Sequence, residues 1–153
     1  MLNIGDKIPE TFGTNEAGVE VTRSQFKCQK LIIYFYPKDN TSGCTAQACS
    51  LRDDYHTLAE LGYNVIGVSS NTSDSHKKFI QNNNLPFTLI ADTNLTLHHL
   101  FGTWGEKSMC GKKYMGTLRT TFVADQDGTI THIFTPKQIK TKTHAEQLIK
   151  ALA

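Results

Sequence analysis

An apolar stretch of membrane-spanning length is absent from the sequence. The longest apolar run, LIIYFY, covers only residues 31–36, whereas a membrane helix needs about 20 apolar residues. The first residues, MLNIGDKIPE, have no secretory signal-peptide pattern. We therefore expect a soluble, cytoplasmic protein.

An excess of charge of one sign is also lacking. The chain has 16 basic and 14 acidic side chains in 153 residues, for a net charge of +2, and neither sign forms a stripe or a tail. Partners such as nucleic acids and anionic membranes require basic patches. We expect neither of them, and we predict neutral molecules or other proteins as partners.

The common motifs for metals, nucleotides and serine nucleophiles are missing. HExxH does not occur, and the six histidines have no spacing that builds a four-ligand zinc site. We expect these histidines on the surface. GxGxxG, the P-loop and GxSxG are absent too, so nothing indicates a dinucleotide, phosphate or serine-hydrolase site.

Cysteine is scarce, and its few copies indicate chemistry rather than a scaffold. Four cysteines are too few for a secreted disulfide framework of this length. In a reducing cytosol, a disulfide is more often transient or catalytic than structural.

The remaining sequence alternates between strand and helix patterns. Residues 30–36 are continuously apolar and aromatic, which is typical of a strand covered on both faces in an α/β sheet. We predict a mixed central sheet flanked by helices, with an N-terminal β-hairpin, in one domain over residues 1–153. The predicted elements are short strands within 11–21, strands over 30–36, 63–69, 87–91, 118–124 and 129–134, helices over 44–61, 73–83, 94–101 and 143–152, and a Gly-rich loop over 102–116.

Cys44 lies where a polar loop meets the start of a predicted helix. A helix start provides unpaired N–H donors and the positive end of the helix dipole, and both stabilise a thiolate relative to a thiol. The thiolate is the nucleophilic form, so Cys44 is a candidate nucleophile behind Thr41, Ser42 and Gly43. Alternatively, Cys44 is a buried cysteine that acts as a small hydrophobic residue on the apolar stripe of its helix.

Cys49 follows Cys44 by five positions and is a candidate partner. In an intact helix the two Cα atoms are about 8.7 Å apart, whereas a disulfide tolerates at most about 7 Å. If the two cysteines pair, the first turn or two of the helix must unwind. The alternative is that Cys49 is incidental.

Arg119 lies in an apolar segment, where a guanidinium needs an anionic or polar partner if its strand is buried. A thiolate and the oxygens of a substrate would supply one, and the alternative is a solvent-exposed arginine on an edge strand. Of the other cysteines, Cys28 has a polar context and we expect no role for it. Cys110, in the Gly-rich loop, is a candidate second oxidisable thiol.

These residues resemble the peroxiredoxins of the Q type, also called bacterioferritin comigratory proteins. The core motif of that family is a proline, three residues, a threonine, two residues and a cysteine, which are here Pro37, Thr41 and Cys44. The resemblance covers nearly the whole chain. Other matching segments are GD at 5–6, FYPKD at 35–39, FG at 101–102, WGEK at 104–107, and Arg119 with TF at 121–122.

The resemblance implies a thioredoxin fold and a thiol-specific peroxidase that reduces hydrogen peroxide and organic hydroperoxides in antioxidant defence. By position, it implies that Cys44 is the peroxidatic cysteine, that Thr41 hydrogen-bonds the substrate and that Pro37 shields the site from water. It further implies that Arg119 stabilises the thiolate and the transition state, and that Cys49 resolves the sulfenic acid to an intramolecular disulfide. Thioredoxin or a similar dithiol would reduce that disulfide, with no metal or organic cofactor, in a monomeric protein.

Three residues depart from the family pattern. Ser42 and Gln47 stand where the family usually has proline and glutamate, and Cys110 replaces a residue that is typically aromatic. Cys110 leaves open a bridge from Cys44 to Cys110. Two other functions also remain as alternatives: a general thiol–disulfide oxidoreductase, although Cys-x-x-Cys is absent, and a redox sensor.

Overall fold

A five-stranded mixed sheet forms the centre of the computed structural model, which describes residues 1–153. In chain order the strands are β1 (Thr11–Thr14), β2 (Glu20–Thr22), β3 (Lys30–Phe35), β4 (Tyr63–Ser69), β5 (Thr88–Ala91), β6 (Trp104–Met109), β7 (Lys112–Thr117), β8 (Thr120–Ala124) and β9 (Ile130–Phe134). The helices are α1 (Ser42–Asp53), α2 (Tyr55–Glu60), α3 (Ser73–Asn83), α4 (Thr96–Phe101) and α5 (His144–Leu152). None of the helices is both long enough and apolar enough to span a membrane.

The order of strands in the sheet is β5-β4-β3-β8-β9. Strands β3, β4 and β5 run parallel, whereas β8 is antiparallel to β3 and β9 is antiparallel to β8. Strands β1 and β2 form a separate antiparallel hairpin. The predictions of a mixed sheet and an N-terminal hairpin are confirmed.

Strand β3 is buried on both faces, as its continuous apolar sequence predicts. Alternate side chains of a strand point to opposite faces, and each face of β3 contributes to a different hydrophobic cluster. Ile32 and Tyr34 belong to the cluster that includes residues of α1, α3 and α5. Ile33 and Phe35 belong to the cluster that includes residues of α4. Full burial of such a side chain stabilises the fold by about 1.5–3 kcal/mol.

The predicted helix over 44–61 is two helices, so this prediction is wrong in its continuity. The chain leaves helical geometry at Asp54, where φ is −106° and ψ is 14°, and α2 begins at the next residue. Leu51 and Leu58, on either side of the break, are both fully buried. The apolar periodicity therefore continues across the break and gives no sign of it.

The predicted Gly-rich loop over 102–116 is also wrong, because these residues form the hairpin of β6 and β7. The strands pair from Trp104 opposite Thr117 to Met109 opposite Lys112. Cys110 and Gly111 have φ angles of 51° and 81°, the left-handed pair that a two-residue hairpin turn requires. Most of the hairpin's outer residues are exposed and polar, so the sequence lacks the apolar alternation that indicates a strand.

Three histidines are fully buried, so the prediction of surface histidines is wrong for them: His76, His98 and His144. Burial of a polar ring is tolerated when its nitrogens find partners. A carboxylate lies beside two of these rings, Asp39 at 2.7 Å and Asp92 at 2.6 Å. No spacing in the sequence reveals these partners, because the tertiary fold brings them together.

Candidate active site

Cys44 lies in the first turn of α1 and is only 1% exposed. Thr41 precedes the helix in extended geometry, and its side chain makes no capping hydrogen bond. The first helical acceptor is the Thr41 carbonyl, which receives the Thr45 N–H at 2.9 Å. The N–H groups of Ser42, Gly43 and Cys44 therefore have no acceptor within the helix and are available to a negative charge.

Arg119 connects Cys44 to Gln47. Its Nη2 donates to Cys44 Sγ at 3.3 Å, and its Nη1 donates to Gln47 Oε1 at 2.6 Å. Arg119 lies just before β8, which begins at Thr120 rather than at residue 118 as predicted, so it is not on a strand. The alternative of a solvent-exposed arginine is wrong, since the guanidinium faces the sulfur of Cys44.

A pocket of about 550 Å³ opens beside this group. Three residues predicted for the site, Pro37, Thr41 and Arg119, line it together. The Thr41 hydroxyl donates to the Lys38 carbonyl at 2.9 Å. Its oxygen lone pairs therefore remain available to accept a hydrogen bond from a ligand. The rest of the wall includes the hairpin of β6 and β7.

Lys107 is a residue of the pocket wall that reasoning from sequence missed. It is half-buried, its amine lies 6.0 Å from the ring centroid of Tyr114, and both residues line the pocket. Burial lowers the pKa of Lys107, and the positive charge of Arg119 lowers it further, while a negative charge on Cys44 acts in the opposite direction. Its only signal in the sequence is its place in the WGEK segment.

Asp39 fixes the loop that leads into Cys44. Its carboxylate accepts from Tyr36 at 2.6 Å, from Ser75 at 2.7 Å and faces Nδ1 of His76 at 2.7 Å. Burial acts to raise the pKa of Asp39, but the hydrogen bond and charge of His76 and the bonds from the two hydroxyls outweigh it, so the pKa lies below its ordinary value. The loop is thus tied to α3 by a buried network.

Cys49 lies on the same uninterrupted helix as Cys44 and is half-buried. Its sulfur donates to Asn83 Oδ1 at a long 3.9 Å, and all four cysteines are free thiols. Cys28 is exposed, and Cys110 is exposed at the tip of the β6–β7 hairpin. The structure contains no group of three or more His, Cys, Asp or Glu side chains placed to hold a metal ion.

Comparison with known proteins decides the family. The model of the AhpC/TSA family matches residues 4–133. The chain belongs to the AhpC/TSA family. It is 37% identical to peroxiredoxin Bcp of Bacillus subtilis (strain 168), over 99% of this chain and 95% of that protein. It is 38% identical to peroxiredoxin Bcp of Escherichia coli (strain K12), over 99% and 96% of the two chains.

Solved structures of this family share the fold. A cysteine mutant of PrxQ from Xylella fastidiosa has a TM-score of 0.89 at 28% identity, covering 99% of this chain and 96% of that chain. The bacterioferritin comigratory protein of Xanthomonas campestris has a TM-score of 0.84 at 27% identity, covering 96% and 97%. The predicted thioredoxin-like fold and the resemblance to Q-type peroxiredoxins are both confirmed.

Membership of this family makes the chain a peroxiredoxin, which is a thiol peroxidase and an oxidoreductase. The predicted enzyme class is therefore confirmed. The relatives described above are named peroxiredoxins. Neither is named as a general thiol–disulfide oxidoreductase or as a redox sensor, which were the two alternatives. Which residues perform the chemistry follows from the geometry of the site.

Proposed function

We propose that Cys44 is the peroxidatic cysteine of this peroxidase and that Arg119 is its principal electrostatic partner. The observation that carries the proposal is the contact of 3.3 Å between Arg119 Nη2 and Cys44 Sγ at the start of α1. A guanidinium beside the sulfur and unpaired N–H groups at the same helix start both favour negative charge in this place. The pocket that Arg119 and Thr41 line gives a small substrate access to the region around the start of α1.

The reaction begins when the Cys44 thiolate attacks the terminal oxygen of a hydroperoxide. A sulfur–oxygen bond forms, the O–O bond breaks, and the product alkoxide or hydroxide takes a proton from water. Cys44 is left as a sulfenic acid. Negative charge moves from sulfur to the leaving oxygen, and the guanidinium already beside the sulfur stabilises that change.

Thr41 and Pro37 orient the substrate and limit water at the sulfur. The proton of the Thr41 hydroxyl is committed to the Lys38 carbonyl, so its oxygen accepts the hydrogen of the incoming hydroperoxide. Pro37, half-buried in the pocket wall, presents no N–H and covers the approach with an apolar ring. Positioning of this kind supplies much of the rate enhancement in a bimolecular step.

Cys49 is the resolving cysteine in this proposal. Its thiol condenses with the Cys44 sulfenic acid, which forms an intramolecular disulfide and releases water. A dithiol of the thioredoxin type then reduces the disulfide by two successive exchange steps. The helix start must open for this step, because both cysteines lie on the continuous helix α1.

Organic hydroperoxides are substrates in this proposal alongside hydrogen peroxide. Met109, Tyr114 and Met115 line the pocket and are 63%, 41% and 55% exposed, and such apolar side chains suit an alkyl group. Alkyl peroxide reduction is the activity described for the related protein of Xanthomonas campestris. The proposal also includes a single domain over residues 1–153, a monomer, and a cytoplasmic location, where dithiol reductants are present.

The test is peroxide consumption coupled to thioredoxin, with wild type compared with Cys44→Ser, Cys49→Ser and Cys110→Ser. We expect Cys44→Ser to abolish turnover, and Cys49→Ser to react once and then stop with thioredoxin as reductant. Cys110→Ser is the matched control, since it removes an exposed thiol outside the mechanism, and it should turn over like wild type. Loss of turnover in Cys110→Ser with retention in Cys49→Ser would move the resolving role to Cys110.

A further inference from the structure

Two stacked tyrosines, one on β3 and the other directly after it, differ in one respect. Tyr34 and Tyr36 are both fully buried, with ring centroids 5.4 Å apart. The Tyr36 hydroxyl donates to Asp39 at 2.6 Å. The Tyr34 hydroxyl has no hydrogen-bond partner. A buried hydroxyl without a partner is unfavourable and uncommon, so its retention in the reduced protein requires an explanation.

The backbone around Tyr34 is built to hold its ring in this place. Gly67 is its neighbour in the parallel ladder of β3 and β4. A Cβ at position 67 would lie 3.0 Å from two carbons of the Tyr34 ring and 2.6 Å from Leu89. Only glycine leaves this space free, and the ring also packs edge-on against Phe87 at 5.9 Å between centroids.

Tyr34 also lies in the apolar interior that contains the peroxidatic cysteine. It belongs to the same buried cluster as Cys44 and Ala48 of α1. Burial raises the pKa of Tyr34 well above its ordinary value, and negative charge on Cys44 and on Asp39 raises it further. The hydroxyl therefore keeps its proton and remains a donor within the cluster that contains Cys44.

We propose that the Tyr34 hydroxyl donates a hydrogen bond to the Cys49 sulfur when α1 opens, and thereby accelerates the resolving step. This inference rests on the proposed role of Cys49. In that step Cys49 loses its proton, its sulfur bonds to Cys44 Sγ, the S–O bond of the sulfenic acid breaks, and the proton and hydroxide leave as water. Tyr34 keeps its own proton throughout.

The need for a donor follows from where Cys49 must go. In the reduced protein its sulfur is half-buried near Asn83. Cys44 belongs to an apolar cluster, and a Cys49 thiolate that approaches this region without a donor is strongly disfavoured. The buried side-chain donors that have no partner are Tyr34 O–H and Gln47 Nε2. Gln47 belongs to α1, the helix that opens, whereas Tyr34 lies on the central sheet.

The test separates the two chemical steps in Tyr34→Phe by rapid acid quench and mass spectrometry. We expect peroxide attack on Cys44 to proceed at the wild-type rate, and formation of the Cys44–Cys49 disulfide to slow by about tenfold, the loss of one hydrogen bond to a charged group. Sulfinic acid on Cys44 should then accumulate at lower peroxide. Tyr55→Phe is the control, because the Tyr55 hydroxyl faces Asn64, and it should leave both rates unchanged.

Urea unfolding of the reduced proteins serves as the second readout. Because the Tyr34 hydroxyl has no partner in this state, Tyr34→Phe should unfold at the same or a higher urea concentration than wild type. Disulfide formation at the wild-type rate in Tyr34→Phe would overturn the inference and leave Cys49 as resolving cysteine. An equal slowing of both steps would also overturn it. A wild-type protein that forms no Cys44–Cys49 disulfide would instead refute the proposed function on which the inference rests.

Discussion

The guanidinium of Arg119 lies with its Nη2 3.3 Å from the sulfur of Cys44, although the two residues are 75 positions apart in the sequence. The contact places a permanent positive charge beside a cysteine at a helix start. Either feature alone occurs in many proteins for structural reasons. Together, next to a pocket that Arg119 also lines, they support the proposal that Cys44 is the nucleophile and that its charge stabilisation is already in position.

Arg119→Ala should slow peroxide attack by about 100- to 1000-fold, since removal of one donor that stabilises transition-state charge costs about 2.7–4 kcal/mol. The measurement is stopped-flow oxidation of the reduced enzyme by hydrogen peroxide. Arg23→Ala provides the control, because its guanidinium is paired with Glu10 on the surface. Attack at the wild-type rate in Arg119→Ala would remove Arg119 from the mechanism.

Gln47→Ala should reduce the attack rate through Arg119. Gln47 is fully buried and holds Nη1 of Arg119 at 2.6 Å, so its loss frees the guanidinium to leave the sulfur. We expect attack to slow by about tenfold in the wild-type background, equivalent to about 1.4 kcal/mol. In the Arg119→Ala background the same change should have no further effect. Additive losses in the double variant would mean that Gln47 acts on the site independently of Arg119.

Asp39→Asn should destabilise the protein and loosen the loop before Cys44. It leaves the buried His76 without its carboxylate, and a buried polar group that loses its partner costs about 1–3 kcal/mol. Urea unfolding at neutral pH measures the change. Glu60→Gln is the comparison, because it breaks a surface pair in which the side chains of His56 and Glu60 are 88% and 66% exposed. This variant should change stability by less than about 0.5 kcal/mol. Similar small effects in both variants would contradict a structural role for Asp39.

His144 should make the protein less stable as the pH falls from about 6.5 to about 4. Burial, with a smaller contribution from Arg119, lowers the pKa of His144 from 6.5 to about 4. Between these values the unfolded chain binds the proton and the folded protein does not, so the free energy of unfolding falls by about 1.4 kcal/mol per pH unit. Below pH 4 both states are protonated and this contribution is constant.

Chemical unfolding at several pH values checks this dependence. His144→Gln should be less stable than wild type at pH 7.5. The ring nitrogen Nε2 is hydrogen-bonded to the Thr121 hydroxyl at 2.9 Å, and the ring packs against Phe134. Its unfolding energy should nevertheless fall less steeply between pH 6.5 and 4. The exposed His56→Gln should retain the wild-type slope. A wild-type slope in His144→Gln would show that other groups control this range.

The sheet and the site motif could be predicted from the sequence because their signals are local. A strand buried on both faces has a continuous apolar run, and residues 30–36 have one. Likewise, Pro37, Thr41 and Cys44 lie close together in the chain, so their motif places Pro37 and Thr41 in the pocket wall and Cys44 in the adjacent first turn of α1. Arg119 was predicted from its conflict with an apolar context and from the family motif.

The features that sequence reasoning missed depend on contacts between distant residues or on exposed surfaces. The β6–β7 hairpin is stabilised by its ladder and has little apolar alternation. The burial of His76 depends on Asp39, which is 37 positions away. The end of α1 at Asp53 is invisible because the apolar stripe continues into α2. For His76 the deciding partner lies outside the window in which periodicity is read, whereas the hairpin and the helix break are local but leave no distinct apolar pattern.

The pairing of Cys44 with Cys49 can be tested most directly by mass mapping of sulfur oxidation after one equivalent of hydrogen peroxide, in wild type and in Cys49→Ser. We expect a Cys44–Cys49 disulfide in wild type and a sulfenic acid on Cys44 in the variant. A disulfide between Cys44 and Cys110, or oxidation that leaves Cys44 as a thiol, would contradict the mechanism.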